Sequence, residues 1–172
     1  MKIAIISDTH DNLATLDKFL AYINKNPVGA VIHCGDIADG ATLKHLAKNF
    51  SGDILAVLGN MDYRDSIENA AKKYPGKIKL FKNFGQAEIG GLSVGFCHFP
   101  ETAKTRAEEN NFDFVFYGHT HKPWRERIKD CHLANPGTLA GMFYQATFAM
   151  LDTGTQNLEL KIVSRLDKKT SP

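Results

Sequence analysis

The chain has 172 residues, 43% hydrophobic and 23% charged, with a formal net charge of +2. Those totals fit a single globular domain and argue against long nucleic acids or an anionic membrane surface as partners. No apolar run approaches the ~20 residues that span a bilayer, and the opening "KIAIIS" is too short for a signal peptide, so no membrane partner is expected and the expected compartment is the cytoplasm.

"KIAIIS" reads as a strand. "NLATLDKFLAYINK" reads as an amphipathic helix with Leu13, Leu16, Leu20 and Ile23 on one stripe and Asp11 or Asn12 as N-cap. "AVIHC" is a second strand, "ATLKHLAKNF" a short helix, and "DILAVL" a third strand. "DSIENAAKKY" is helical and is stopped by Pro75-Gly76. The rhythm then changes. "KIKLF", "QAEIG", "LSVGFCH" and "FVFYG" are short strands, with a helix at "ETAKTRAEEN" between the last two. "WRERI", "HLAN", "ATFAMLD" and "NLELKIVS" follow with tight turns, so the second half reads as a mostly antiparallel run, and "NPG" at 135–137 is a turn signal. The composition is α/β (α+β), and two packed sheets with helices outside would bury both. One domain is expected over 1–165, with 166–172, including Lys168 and Lys169, as a frayed tail. Cys34, Cys97 and Cys131 make no evident disulfide framework and are expected to be reduced, the first two buried in apolar runs.

The strand ends carry the chemistry. "IAIIS" runs into Asp8-Thr9-His10 and "AVIHC" into Gly35-Asp36. "ILAVL" runs into Gly59-Asn60-Met61-Asp62, "SVGFC" into His98, and "FVFY" into Gly118-His119-Thr120-His121. Ligands of open α/β sheets bind outside the carboxyl ends of strands, so five such ends could converge, and glycine allows a sharp turn there. Each piece alone is weak. An isolated Gly-Asp is an ordinary turn or cap, and an isolated His98 an ordinary core histidine. The ordered set is the signal. His33, His45 and His132 fall outside it and read as structural.

Asp8, His10, Asp36, Asn60, His98, His119 and His121 offer oxygen and nitrogen donors and no thiolate. That excludes a cysteine-rich structural zinc site and favours Mn, Fe, Zn, Co or Ni over Ca or Mg. Seven donors exceed one four- to six-coordinate ion and suit two divalent ions sharing a carboxylate, an arrangement that clamps the attacking and leaving oxygens of an in-line displacement.

The ordered pieces "DTH", "GD", "GNMD", "CH" and "GHTH" resemble the calcineurin-like metallophosphoesterase family, and "NPGT" resembles the turn that follows in its small, YfcE-type phosphodiesterases. The resemblance covers nearly the whole chain. It implies a four-layer αββα sandwich of two mixed sheets. It also implies hydrolysis of small phosphoesters by a hydroxide bridging two divalent metals, with manganese the foremost ion. Carried over by position, it puts Asp8, His10 and His121 on one ion, Asn60, His98 and His119 on the other, and Asp36 between them. Asp36, Asn60 and His98 are thereby implied as catalytic. The small branch is often homo-oligomeric.

Two departures stand out. Most of the family has a leaving-group histidine where this chain has Met61, and a thioether cannot donate a proton. Met61 is either a loss of acid help or simple core packing. In the first case the enzyme favours good leaving groups, such as aryl phosphodiesters, or relies on a metal-bound water as acid. Asp62, which supports that histidine in the family, is expected to cap the following helix. "HFP" at 98–100 makes one rim of the pocket more apolar. Lys122 and Arg125 could reach a phosphate but read as surface charge. The rival reading is a non-catalytic protein-binding scaffold, like the family's retromer subunit, which has lost much of the metal chemistry. The complete donor set favours the enzyme. A mononuclear metal sensor is disfavoured by the excess of donors.

Overall fold

The computed structural model describes residues 1–166. Strand β1 (Lys2–Ile6) leads to α1 (Leu13–Lys25), β2 (Ala30–His33), α2 (Gly40–Asn49), β3 (Asp53–Val57), α3 (Arg64–Ala71) and β4 (Ile78–Phe81). Then come β5 (Phe84–Ile89), β6 (Leu92–Cys97), α4 (Pro100–Glu108), β7 (Phe114–Phe116), β8 (Trp124–Ile128), β9 (Cys131–Asn135), β10 (Thr147–Asp152) and β11 (Asn157–Ile162). A 3-10 turn over Val163–Arg165 closes the described chain. No helix among the described residues is long and apolar enough to cross a membrane.

One sheet has the order β11-β10-β1-β2-β3-β4 and the other β5-β6-β7-β9-β8. Alternation within β1 explains the layering. Ile3 and Ile5 point between the sheets, where they meet Phe96, Phe114 and Phe116. Ala4 and Ile6 point the other way and pack with Phe19, Leu43 and Ile67 from the first three helices. Helix α4 buries Ala103 and Ala107 against Val115 and Leu133 on the outer face of the second sheet. The result is four layers, αββα, with the central strands of both sheets covered on both faces and the edge strands β8 and β11 largely exposed.

Several expectations change. The second half of the chain is antiparallel where β5 pairs with β6, β8 with β9 and β10 with β11, but β6, β7 and β9 are parallel neighbours. Helix α4 supplies the crossover between β6 and β7 that a parallel pair needs. In α1, Leu13 is exposed and Phe19 takes its place in the stripe with Leu16, Leu20 and Ile23. Asn12 is the N-cap, its side chain accepting from the Thr15 amide at 3.2 Å. Leu166 packs on the helical core cluster, and the remainder of the expected tail lies outside the described residues. All three cysteines are buried and free.

Candidate metal centre

The carboxyl ends of β1, β2 and β3 from one sheet and of β6 and β7 from the other open onto a common rim, and all seven donors reach it. Asp8, Asp36 and His98 form the floor, at 0%, 2% and 1% exposure. Asn60 and His119 stand exposed at the mouth.

The backbone there is strained. Asp8, His10, Asp36, His119 and His121 all have positive φ, between 42° and 66°. Non-glycine residues avoid this region, at a cost of about 1–3 kcal/mol each, and persist there only where the surroundings impose it. The glycines divide. Gly35 takes the expected sharp turn, at φ +92°, whereas Gly59 and Gly118 do not take positive φ. They permit close approach instead. A Cβ on Gly59 would overlap Asp36 Oδ1, and one on Gly118 would overlap Ser7 Oγ and approach Asp8 Oδ2 to 2.8 Å.

Two triangles of donor atoms result. In one, His10 Nε2 lies 3.3 Å from His121 Nε2, and Asp8 Oδ1 lies 3.2 Å from His121 Nε2 and 3.9 Å from His10 Nε2. In the other, Asn60 Oδ1 lies 2.9 Å from His98 Nε2 and 3.0 Å from His119 Nδ1, which are 3.3 Å apart. Asp36 Oδ2 spans both, 3.8 Å from His10 Nε2 and 3.4 Å from His98 Nε2. Asp8 also reaches both groups, since Asp8, Asp36 and His98 share donor atoms within 4.8 Å.

These spacings fit a cation. Donors about 2.0–2.2 Å from an ion, subtending 90–109°, sit about 2.8–3.6 Å apart, a range that holds every spacing but those of His10 Nε2 to Asp8 Oδ1, 3.9 Å, and to Asp36 Oδ2, 3.8 Å. Without an ion such pairs are awkward. His98 Nδ1 lies 2.9 Å from the Cys34 carbonyl, and donation there leaves Nε2 as a lone pair facing another acceptor, Asn60 Oδ1. In the metal-free state protonation relieves this in part. Burial opposes charge on His98, but the hydrogen bond and field of Asp36 outweigh it and raise its pKa. Burial likewise opposes charge on Asp36, yet His98 holds its pKa below the usual value. Burial pushes Asp8 upward. The ion partners of Asp8 and Asp36 among the described residues are all histidines.

The supporting residues were less visible in sequence. Asp62 does not cap α3, whose N-cap is Tyr63 without a side-chain bond. Its Oδ1 accepts from the Ala38 amide and its Oδ2 from the Gly59 amide, each at 2.7 Å, tying the Asp36 loop to the Asn60 loop. Met61 is 58% exposed, so it is not core packing, and its amide donates to Asp36 Oδ1 at 2.8 Å. Asn135 of the NPG turn donates to the Gly118 carbonyl at 2.8 Å and to Thr120 Oγ1 at 3.0 Å. Thr138 Oγ1 donates to the Asp8 carbonyl at 3.0 Å. The turn motif was the available signal for Asn135 and Thr138. His33 packs against Thr9, His45 pairs with Asp17 at 2.6 Å, and His132 stacks on Phe114, all outside the centre. Lys122 lies over the Trp124 ring at 5.8 Å, and Arg125 is exposed.

Comparison with known proteins shows the family. The family model of the calcineurin-like phosphoesterase superfamily domain matches residues 1–156. The phosphodiesterase MJ0936 of Methanocaldococcus jannaschii is 31% identical over 156 residues, covering 89% of this chain and 93% of that protein. The vacuolar protein sorting-associated protein 29 of Schizosaccharomyces pombe is 25% identical over 144 residues, covering 82% and 73% respectively. Among solved structures, that of an archaeal phosphodiesterase superposes with a TM-score of 0.86 at 31% identity, over 94% of this chain and 99% of its own.

Proposed function

The chain belongs to the calcineurin-like phosphoesterase superfamily, and we infer that it is a metal-dependent phosphoesterase acting as a phosphodiesterase on small phosphoesters. Water and a diester give a monoester and an alcohol. The observation that carries this reading is the pair of donor triangles spanned by Asp36, with donor atoms 2.9–3.4 Å apart in all but the two wider spacings of His10.

Asp8, His10 and His121 are assigned to one divalent ion, Asn60, His98 and His119 to the other, and Asp36 to both. Manganese is the ion proposed, with nickel, iron, cobalt and zinc also suited to mixed nitrogen and oxygen donors. When bound, the ions supply Lewis acidity to the phosphoryl group and a nucleophile drawn from water. The chain's own residues supply the rest. Donation from His98 Nδ1 to the Cys34 carbonyl keeps its Nε2 aimed at the centre. Asp62 holds the Asp36 and Asn60 loops in register. Met61 offers no proton to the departing alcohol, so esters with good leaving groups, such as aryl phosphodiesters, are favoured.

Removing metal with chelator and restoring Mn, Ni, Fe, Co, Zn or Mg singly tests the reading against a panel of diesters and monoesters. Restored diester hydrolysis is expected with at least one of the first five. No hydrolysis of any phosphoester with any ion would overturn it. A purely scaffolding role leaves the strained backbone of five donors without a purpose.

A further inference from the structure

Two exposed phenyl rings flank the centre on its two halves. Phe99 is 41% exposed, and its ring centroid lies 5.0 Å from both His98 and His119, which belong to the Asn60 triangle. Phe143 is 87% exposed, and its ring lies 5.7 Å from His121, which belongs to the Asp8 triangle. The two residues are far apart in sequence, yet each rests on one set of imidazoles.

Neither residue suits its local backbone. Phe99 is the N-cap of α4 and makes no side-chain cap bond, at a position where Ser, Thr, Asp or Asn would satisfy a free amide. Phe143 has φ +64°, a conformation that glycine or asparagine adopts more readily than an aromatic residue. Phe143 gains almost no burial in exchange, and the burial that Phe99 gains is against the His98 and His119 rings. Local preference is broken twice, once on each flank of the same centre, which is where function overrides local fit.

We propose that Phe99 and Phe143 are substrate-contacting residues that each cover one ester group of a phosphodiester. They select diesters with a flat aromatic group, aryl or nucleobase, on both sides of the phosphate. This rests on the phosphodiesterase reading. It adds that the two flanks are read separately, one ring per ester group, by stacking or edge contacts between aromatic faces.

The test compares diphenylphosphinate with dimethylphosphinate as ligands of the metal-loaded protein. Both carry one negative charge and have no ester to hydrolyse. Binding is read by ligand-observed NMR with a diamagnetic ion. Phe99→Ala and Phe143→Ala should each lower the preference for the diphenyl ligand about threefold to tenfold, and the losses should multiply in the double variant. Phe99→Tyr should restore it. Both side chains are exposed, so truncation leaves the core intact. In kinetics, both variants should raise KM for bis(p-nitrophenyl) phosphate, whereas only one should for ethyl p-nitrophenyl phosphate. The p-nitrophenyl ester of thymidylate separates the sources. Sensitivity to both rings there supports a nucleobase on one flank, and sensitivity to one supports aryl groups only. Unchanged phosphinate preference in both variants, with diesters still hydrolysed, would overturn the clamp and assign the rings to protein docking. Diester hydrolysis absent in the wild type, with the diphenyl preference intact, would overturn the enzymatic reading instead.

Discussion

His33 makes the acid sensitivity of the fold calculable. The ring is fully buried, with Nε2 2.8 Å from Thr9 Oγ1 and Nδ1 without a partner among the described residues. Burial is the main cause that drives its pKa from 6.5 down to about 3. A depressed folded pKa means that the folded state holds the neutral ring, while the unfolded chain takes up a proton below pH ~6.5. The associated stability is therefore complete above 6.5 and is lost as pH falls toward 3. At about pH 4.5 the loss covers about two pH units, or about 2.7 kcal/mol. His33→Gln keeps a polar atom in reach of Thr9 but cannot titrate. Its constant cost cancels when each protein is compared with itself. Urea unfolding of metal-free wild type and variant at about pH 7 and 4.5 gives the double difference. The wild type should lose about 2.7 kcal/mol more than His33→Gln. The Asp36, His98 and His10 side chains that act on this ring are present in both proteins. Equal losses in the two would refute the reasoning.

Met61→His should raise turnover of esters with poor leaving groups, toward the 10²–10⁴-fold that general acid help supplies. An unchanged rate on those esters, measured beside an aryl diester control, would show that no acid is missing. Asp62→Asn puts an amide NH₂ against one of two backbone N–H groups. It should weaken metal affinity about 10–100-fold, as loss of a residue that orients ligands does. Titration with a competing chelator checks it, and unaltered affinity would mean the bridge between Ala38 and Gly59 positions nothing. Gly118→Ala forces a methyl against Ser7 Oγ and should cost about 1–3 kcal/mol in urea unfolding, with weaker metal uptake. Wild-type stability in that variant would contradict the tight approach.

The donors were legible because apolar runs ending in Asp, Asn or His repeat along the chain, and strand ends meet at a shared edge. The layers were legible because β1 is apolar on both faces, which requires cover on both. Pairing direction was not, since nothing in "FVF" says that it lies beside β6 and β9 in parallel. Leu13 and Phe19 both fit a helical stripe, and only the position of the β10 Phe148 ring, 5.0 Å from Phe19, decides between them. Asp62 looked like a cap because Asp before a helix usually is one. Its partners Ala38 and Gly59 belong to two separate loops, and a local pattern cannot register that. Phe143 gave no signal at all, because a single aromatic residue in a loop belongs to no periodic pattern.

Metal content per chain tests the central claim most directly. Apoprotein dialysed against manganese and analysed by elemental mass spectrometry should take up two ions per chain, falling to one or none in Asp36→Ala, which removes the carboxylate that spans both triangles. Uptake of no ion by the wild type, or an Asp36→Ala variant that still binds two with unchanged affinity, would contradict the account.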